Sequence, residues 1–219
     1  MIHLLLLVLG TVAWTAATAI VMGTAAPAWE RAATGGVLTW ACAGGLIAGV
    51  VLPALGRWLS PSAAEFLMAL DHESAHAIAA VFTGGRVETM SVSSRGTGKV
   101  RHAGSKATWF VALAPYVIPT TTIVALFVAL CIPGPMPPVH VGIVTATLGY
   151  HLASDWMEAG PHQPDIADHG GWLALFAVAG AWAVTLGLVL AGVLLGPRAL
   201  AHDALAGARA LWDAALSLR

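Results

Sequence analysis

Long apolar stretches without ionisable side chains dominate the chain. No Lys, Arg, Asp or Glu occurs within residues 1–29, 32–56, 107–154 or 169–197. Because about 20 helical residues cross the roughly 30 Å hydrocarbon core of a bilayer, the first, second and fourth stretches each accommodate one helix. The third accommodates two helices, with a proline-rich turn near 133–138 between them. A further helix, less apolar than the others, is predicted at 63–83.

These stretches predict an all-α polytopic membrane protein with about six transmembrane helices. Their expected positions are about 2–23, 35–56, 63–83, 107–131, 138–156 and 171–196. Helices of this kind satisfy their own backbone hydrogen bonds, as the bilayer requires. The first one is expected to stay as a membrane helix and not to be cleaved as a secretion signal, because it is long and no basic segment precedes it.

Composition supports a membrane protein and excludes two other classes. Hydrophobic residues make up 58% of the 219 positions, charged residues only 10%, and the mean hydropathy is +0.80, whereas soluble domains carry about 25% charged residues. Ten basic against eleven acidic residues give a net charge of −1, which lacks the basic excess of a nucleic-acid-binding protein. Two cysteines are too few for a disulfide scaffold.

The connection 84–106 holds half of the basic residues and predicts the orientation of the chain. These residues are Arg86, Arg95, Lys99, Arg101 and Lys106. Basic connections are retained on the cytoplasmic side, so we expect 84–106 and the loop 157–170 to be cytoplasmic. The turn 132–137 and both termini are then external. The tail 198–219 has the amphipathic pattern of a helix that lies on the membrane surface.

The same connection has a β-like pattern. Val87, Met90 and Val92 alternate loosely with polar residues, and Gly96-Thr97-Gly98 is typical of a turn. The predicted hairpin is either solvated, with its basic residues near lipid headgroups, or it offers an exposed strand edge with which a substrate segment could pair.

The candidate chemistry lies in the helix before this hairpin. His72-Glu73-Ser74-Ala75-His76 is an H-E-x-x-H motif. Positions i and i+4 share one helix face, so both imidazoles can bind one zinc ion while Glu73 reaches its bound water. Chance alone predicts about 0.008 occurrences of this pattern in a chain of this composition. A capping box at 62–65 and a stop at Gly84-Gly85 support the helix.

Two other interpretations of the motif are a structural polar cluster between helices and a path for protons or ions. Ionisable groups inside a spanning helix are costly and point to function, which favours the zinc site. At about 1.5 Å per residue, the motif lies roughly 12–15 Å from either end of its helix. The metal would therefore lie inside the membrane, and the site needs a water-filled cavity.

A third metal ligand must come from elsewhere in the chain, because a catalytic zinc usually has three protein ligands and one open position. The candidates lie in or beside the connection between the last two predicted helices. They are His151, Asp155, Glu158, His162, Asp165, Asp168 and His169.

These residues resemble the site-2 protease class of intramembrane zinc metalloproteases, in particular its short bacterial members without extra soluble domains. The resemblance covers roughly residues 63–170 and rests on the H-E-x-x-H helix, on Gly84-Gly85-Arg86-Val87 before the β stretch, and on Pro161-His162-Gln163-Pro164-Asp165. Asp165 lies 89 residues after His76, close to the spacing in compact members. Ala75 and Ile166 depart from the glycines that the family prefers at these positions.

The resemblance implies a zinc endopeptidase that cleaves transmembrane segments of other proteins. His72, His76 and Asp165 would bind one Zn²⁺, and Glu73 would be catalytic, with Asp155 or His162 as an alternative ligand or as a neighbour of the ligands. The chain would form one integral-membrane domain: two N-terminal helices (1–60), a metalloprotease core (61–197) and the tail (198–219). We expect it in a bacterial inner membrane, with its active site near the cytoplasmic side.

Two other functions are compatible with the sequence. A zinc hydrolase of a small amphiphile or of prenylated termini would use the same motif. A non-enzymatic scaffold or transporter would depend on packing residues and not on Glu73, although the chain lacks the paired broken helices of a repeat-built transporter.

Overall fold

The computed structural model describes Glu30, residues 36–132 and residues 136–195. The predicted helix at 2–23 and the predicted tail at 198–219 lie outside the described residues. Within the described part, seven helices and one hairpin follow each other along the chain. They are α1 (Val37–Leu59), α2 (Pro61–Phe82), β1 (Arg86–Val92), β2 (Gly98–Ala103), α3 (Thr108–Val117), α4 (Thr120–Cys131), α5 (Pro138–Glu158), α6 (Pro164–Ala167) and α7 (Trp172–Leu195).

The described residues are mostly helical, and two helices, α1 and α7, are long and apolar enough to cross a membrane. The pair α3 and α4 counts as a third span if it is taken as one element, although the two helices meet at an angle of 67°. The more polar helices α2 and α5, which carry the ionisable residues, are not among these spans. Five of the six predicted transmembrane helices fall largely within the described residues, and two or three candidate spans are found there.

The single helix predicted at 107–131 is wrong in detail, because the structure breaks it at Pro119. Proline has no backbone N–H to donate and disfavours helical geometry at the residue before it. Ile118 accordingly leaves the helical region, with φ −101° and ψ 104°. The break turns α3 away from α4 and leaves α3 packed against α2.

The start of α2 also differs from the prediction. The helix begins at Pro61 with Ser60 as its N-cap, and it has no side-chain capping hydrogen bond, so the capping box expected at 62–65 does not form. Pro61 suits the first helical position because its missing N–H would have no helical partner there. The helix ends as predicted at the two glycines, and Gly84 has φ +80°.

Helices α1 and α5 cross in direct backbone contact. A Cβ atom on Gly49 would lie 2.8 Å from both Ala146 C and Tyr150 N. A Cβ on Gly45 would overlap the side chain of Thr145, and one on Gly149 would overlap the carbonyl oxygen of Leu46. Small residues allow this approach between membrane helices, and the seam fixes the position of α5, whose C-terminal end reaches the motif helix.

The predicted hairpin forms, and it folds back along α2. Strands β1 and β2 pair antiparallel from Arg86 with Ala103 to Val92 with Gly98. At the base, Thr83 Oγ1 lies 2.7 Å from Ser105 Oγ. At the tip, a Cβ on Gly96 would lie 2.7 Å from Cβ of Glu65. The 18 residues of α2 between these contacts span about 27 Å, so the basic side chains of the hairpin are spread along α2 and do not form one cluster.

Candidate metal centre

The two histidines of the motif lie side by side on α2. Their ring centroids are 5.0 Å apart, with the rings nearly perpendicular. Both side chains are largely buried and face the loop that precedes α7. The helical spacing of four residues produces this arrangement directly.

Asp165 completes a group of three possible ligands. Its Oδ2 lies 3.6 Å from Nε2 of His72 and 3.5 Å from Nε2 of His76. The three ligand atoms all lie within 4.8 Å of one another. The next residue, Ile166, is fully buried in a cluster with side chains of α3 and α7, and this anchor holds Asp165 against α2.

The neighbours of Asp165 favour its ionised form. Burial acts to raise the pKa of this carboxyl group, but the contacts with His72 and His76 outweigh burial and hold the pKa below its ordinary value. An anion facing two imidazoles matches the donor set that zinc prefers. Helix α2 and the connection that contains α6 therefore bring two nitrogen donors and one oxygen donor to one place.

Two of the three distances between these ligand atoms are close to those around a zinc ion. Tetrahedral ligands at 2.0–2.1 Å from the metal lie roughly 3.3 Å from each other. The two contacts of Asp165 with the imidazole nitrogens, at 3.5 and 3.6 Å, need only small side-chain rotations to reach this value. A zinc ion held by these three residues would keep an open position, as catalytic zinc sites do.

The other ring nitrogens of the two histidines have their own partners. Nδ1 of His76 lies 2.7 Å from the main-chain oxygen of Val111 in α3. Nδ1 of His72 lies 3.4 Å from Oε2 of Glu158, the last residue of α5. The sequence analysis predicted neither of these two contacts. It named Glu158 only as a candidate ligand, and a contact with a main-chain carbonyl cannot be predicted from the pattern of side chains.

Glu73 points from α2 toward the start of β2. It is only 8% exposed, and a Cβ on Gly98 would lie 2.6 Å from its Oε1. The glycine at the start of β2 thus makes the room that the buried carboxylate occupies.

His72, Glu73, His76 and Asp165 all line one cavity of about 380 Å³. The motif residues, strand β2, the first half of α3 and the loop before α7 form its wall. The lining residues are His72, Glu73, His76, Gly98, Lys99, Val100, His102, Thr108, Val111, Ala112, Gln163, Pro164 and Asp165. The cavity is large enough for several water molecules or for a short extended segment of peptide.

Asp155 lies outside this group. It is 6% exposed, its Oδ2 lies 3.3 Å from Nε2 of His151, and Trp182 Nε1 donates to it at 3.1 Å. The same indole N–H also lies 3.0 Å from the carbonyl oxygen of Tyr116. Asp155 therefore joins α5 to α7 and α3 in a buried polar contact.

The remaining candidate ligands are also separate from the group. His162 and Asp168 are exposed, and His169 directs Nδ1 to the main-chain oxygen of Asp165 at 3.0 Å. Among the described residues, His72, His76 and Asp165 form the only set of three or more histidine, cysteine or carboxylate side chains whose ligand atoms could share one ion.

Comparison with known proteins gives a family but no individual relative. The family described as Peptidase M50B-like matches residues 40–154, a segment that includes the H-E-x-x-H motif and ends before Asp165. No curated protein and no solved structure matches the chain.

Proposed function

The chain belongs to the Peptidase M50B-like family of membrane metallopeptidases, and from this premise we propose that it is an intramembrane zinc protease. It would hydrolyse peptide bonds in or near transmembrane segments of other membrane proteins. The observation that carries the proposal is the convergence of His72, His76 and Asp165 beside the buried carboxylate of Glu73 on one cavity. This is the donor set and the proton acceptor that metal-assisted peptide hydrolysis requires.

His72, His76 and Asp165 would hold the zinc ion through Nε2, Nε2 and Oδ2. Zinc, when bound, polarises the scissile carbonyl and makes the attacking water more acidic. Glu73 would accept the proton of the attacking water and deliver it to the nitrogen of the leaving amine. Its burial against Gly98 holds the carboxylate in one place. Little conformational entropy is therefore lost when this group is positioned for the reaction.

The position of β2 in the cavity wall favours a substrate that binds in an extended conformation. Gly98, Lys99 and Val100 line the cavity together with His102, so a peptide entering it would run along a strand. A helical substrate hides its amides in its own hydrogen bonds and must unwind before hydrolysis. Pairing with a strand edge offers main-chain hydrogen bonds to the unwound segment, which favours a protein substrate over a small amphiphile.

We further propose that the chain lies in a bacterial inner membrane with the site reached from the cytoplasmic side. The base of the hairpin, with Arg86 and Lys106, and the loop that carries Asp165 would both face the cytoplasm. The basic residues at the hairpin base, Arg86 and Lys106, support this orientation. The opposite end of the molecule, around Pro137, has no charged residue nearby in the chain.

The decisive experiment compares Glu73→Gln with the unchanged chain on a model transmembrane substrate in proteoliposomes, together with zinc analysis of both proteins. Because Glu73 transfers protons and does not bind the metal, we expect full zinc content and a loss of cleavage of about 10²–10⁴-fold. Glu65→Gln is the matched control, since it changes a carboxylate of the same helix that does not line the cavity. Cleavage by Glu73→Gln at the rate of the unchanged chain would show that the proposed protease mechanism is wrong.

A further inference from the structure

Glu158 contacts two parts of the candidate metal centre through different atoms. Its side-chain Oε2 lies 3.4 Å from Nδ1 of His72. Its main-chain oxygen accepts a hydrogen bond of 3.0 Å from Nε2 of Gln163, two residues before Asp165. The C-terminal end of α5 is thereby joined both to the motif helix and to the loop that carries the third candidate ligand.

The partner of a histidine Nδ1 decides which ring nitrogen can bind a metal. A neutral imidazole carries one N–H and one free lone pair. The carbonyl of Val111 only accepts, so the contact at 2.7 Å places the hydrogen of His76 on Nδ1 and leaves Nε2 free. The carboxylate of Glu158 is likewise an acceptor when ionised, and it faces Nδ1 of His72.

The surroundings of His72 leave its ring few other orientations. The ring of Tyr116 meets it edge to face, with centroids 5.4 Å apart, and Tyr116 itself is buried. Glu158 faces Nδ1 and not Nε2 of this ring, and it is not in the set of side chains whose ligand atoms could share one ion. Glu158 is therefore placed to orient His72 and not to bind the metal itself.

We propose that Glu158 is a positioning residue of the metal centre. It holds the hydrogen of His72 on Nδ1 and directs Nε2 of this ring toward Asp165, as the Val111 carbonyl does for His76. The contact of 3.4 Å becomes a hydrogen bond after a small rotation of either side chain. This inference rests on the proposed zinc site formed by His72, His76 and Asp165. Groups that orient metal-bound histidines in this way contribute about 10–100-fold to metal affinity.

The test measures zinc affinity of the full chain in detergent by competition with a chromogenic chelator. We expect Glu158→Ala to bind zinc about 10–100-fold more weakly than the unchanged chain. Glu158→Gln keeps an oxygen acceptor of the same reach and should lose less than Glu158→Ala. Asp168→Ala is the matched control, because it removes an exposed carboxylate of the neighbouring loop and should leave the affinity unchanged.

A second measurement does not depend on the stability of the alanine variant. In the zinc-loaded chain, the Nδ1–H proton of His72 should give a strongly downfield NMR resonance, since it donates to a carboxylate. Glu158→Gln should shift this resonance upfield, and Asp168→Ala should not. An unshifted resonance in Glu158→Gln, or zinc affinity of Glu158→Ala equal to that of the unchanged chain, would overturn the inference.

The outcomes separate this inference from the proposed function. An unchanged chain that binds no zinc would overturn both. Zinc binding that depends on Glu158, in a chain that cleaves no transmembrane substrate, would overturn the protease and support the positioning role. Zinc binding and cleavage that are both insensitive to Glu158→Ala would leave the protease standing and overturn only the role of Glu158.

Discussion

The carboxylate of Glu73 lies directly over the backbone of Gly98, with room for no side chain between them. A Cβ at residue 98 would lie 2.6 Å from Oε1 and 2.8 Å from Cδ of Glu73, both far inside normal contact distance. The first residue of β2 therefore determines where the carboxylate on α2 lies, although the two residues are 25 positions apart in the chain.

Gly98→Ala should displace Glu73 without removing it. Since a shift of about 1 Å in a catalytic group can cost 10²-fold in rate, we expect cleavage of a model transmembrane substrate to fall by about this factor, with zinc content unchanged. The measurement is the rate of cleavage together with elemental analysis. Gly160→Ala is the control, because a Cβ at residue 160 meets nothing within 4 Å. Equal rates for Gly98→Ala and Gly160→Ala would contradict this account of Glu73.

Asp165→Ala should lose zinc and activity together, because it removes one of three ligands. Asp155→Ala should keep most of its zinc, since Asp155 contacts His151 and Trp182 and not the motif histidines. Removing Asp155 takes away one of two acceptors of the Trp182 indole N–H, which still donates to Tyr116, so we expect the loss of one hydrogen bond, about 0.5–1.5 kcal/mol of stability. Zinc analysis and thermal unfolding of both variants distinguish these effects, and the reverse pattern of zinc loss would refute the assignment of Asp165.

Gly49→Ala should destabilise the pair of α1 and α5. The new Cβ would lie 2.8 Å from backbone atoms of Ala146 and Tyr150, and backbone cannot move aside as a flexible side chain does. Overpacking of this kind costs about 1–3 kcal/mol. Thermal unfolding in detergent should show a lower Tm for Gly49→Ala than for Gly44→Ala, whose Cβ would meet nothing within 4 Å. An equal or higher Tm for Gly49→Ala would contradict the close packing of α1 and α5 at this position.

Cysteine labelling tests the orientation in the membrane. In a background without Cys42 and Cys131, we expect an impermeant reagent to label Pro137→Cys from outside intact cells and to leave Lys106→Cys unlabelled until the cells are opened. Both positions are exposed. Lys106 at the hairpin base is a better reporter than the tip, because the tip lies against the first turns of α2. Labelling of Lys106→Cys in intact cells would reverse the proposed orientation.

Charge-free apolar stretches and local rules determined where most of the helices form and placed the two motif histidines on one face of their helix. Apolar stretches free of charge predicted helices close to the observed positions of α1, α5 and α7. The spacing of His72 and His76 placed them on one face of α2, and Gly84 ended that helix. These features follow from rules that act within a few residues, namely hydrophobic burial, the helical repeat and the conformational freedom of glycine.

Only the tertiary structure decided which distant groups face the motif. Residue type alone left several carboxylates and histidines between 151 and 169 as candidate ligands, of which the family resemblance favoured Asp165, and the burial of Ile166 brings Asp165 to His72 and His76. Glu158 faces His72 because the glycine seam fixes α5 against α1. The hairpin lies along α2 because Gly96 and Gly98 permit close contact. Such contacts depend on the packing of elements far apart in the chain, where shape and volume select one arrangement among many that local pattern permits.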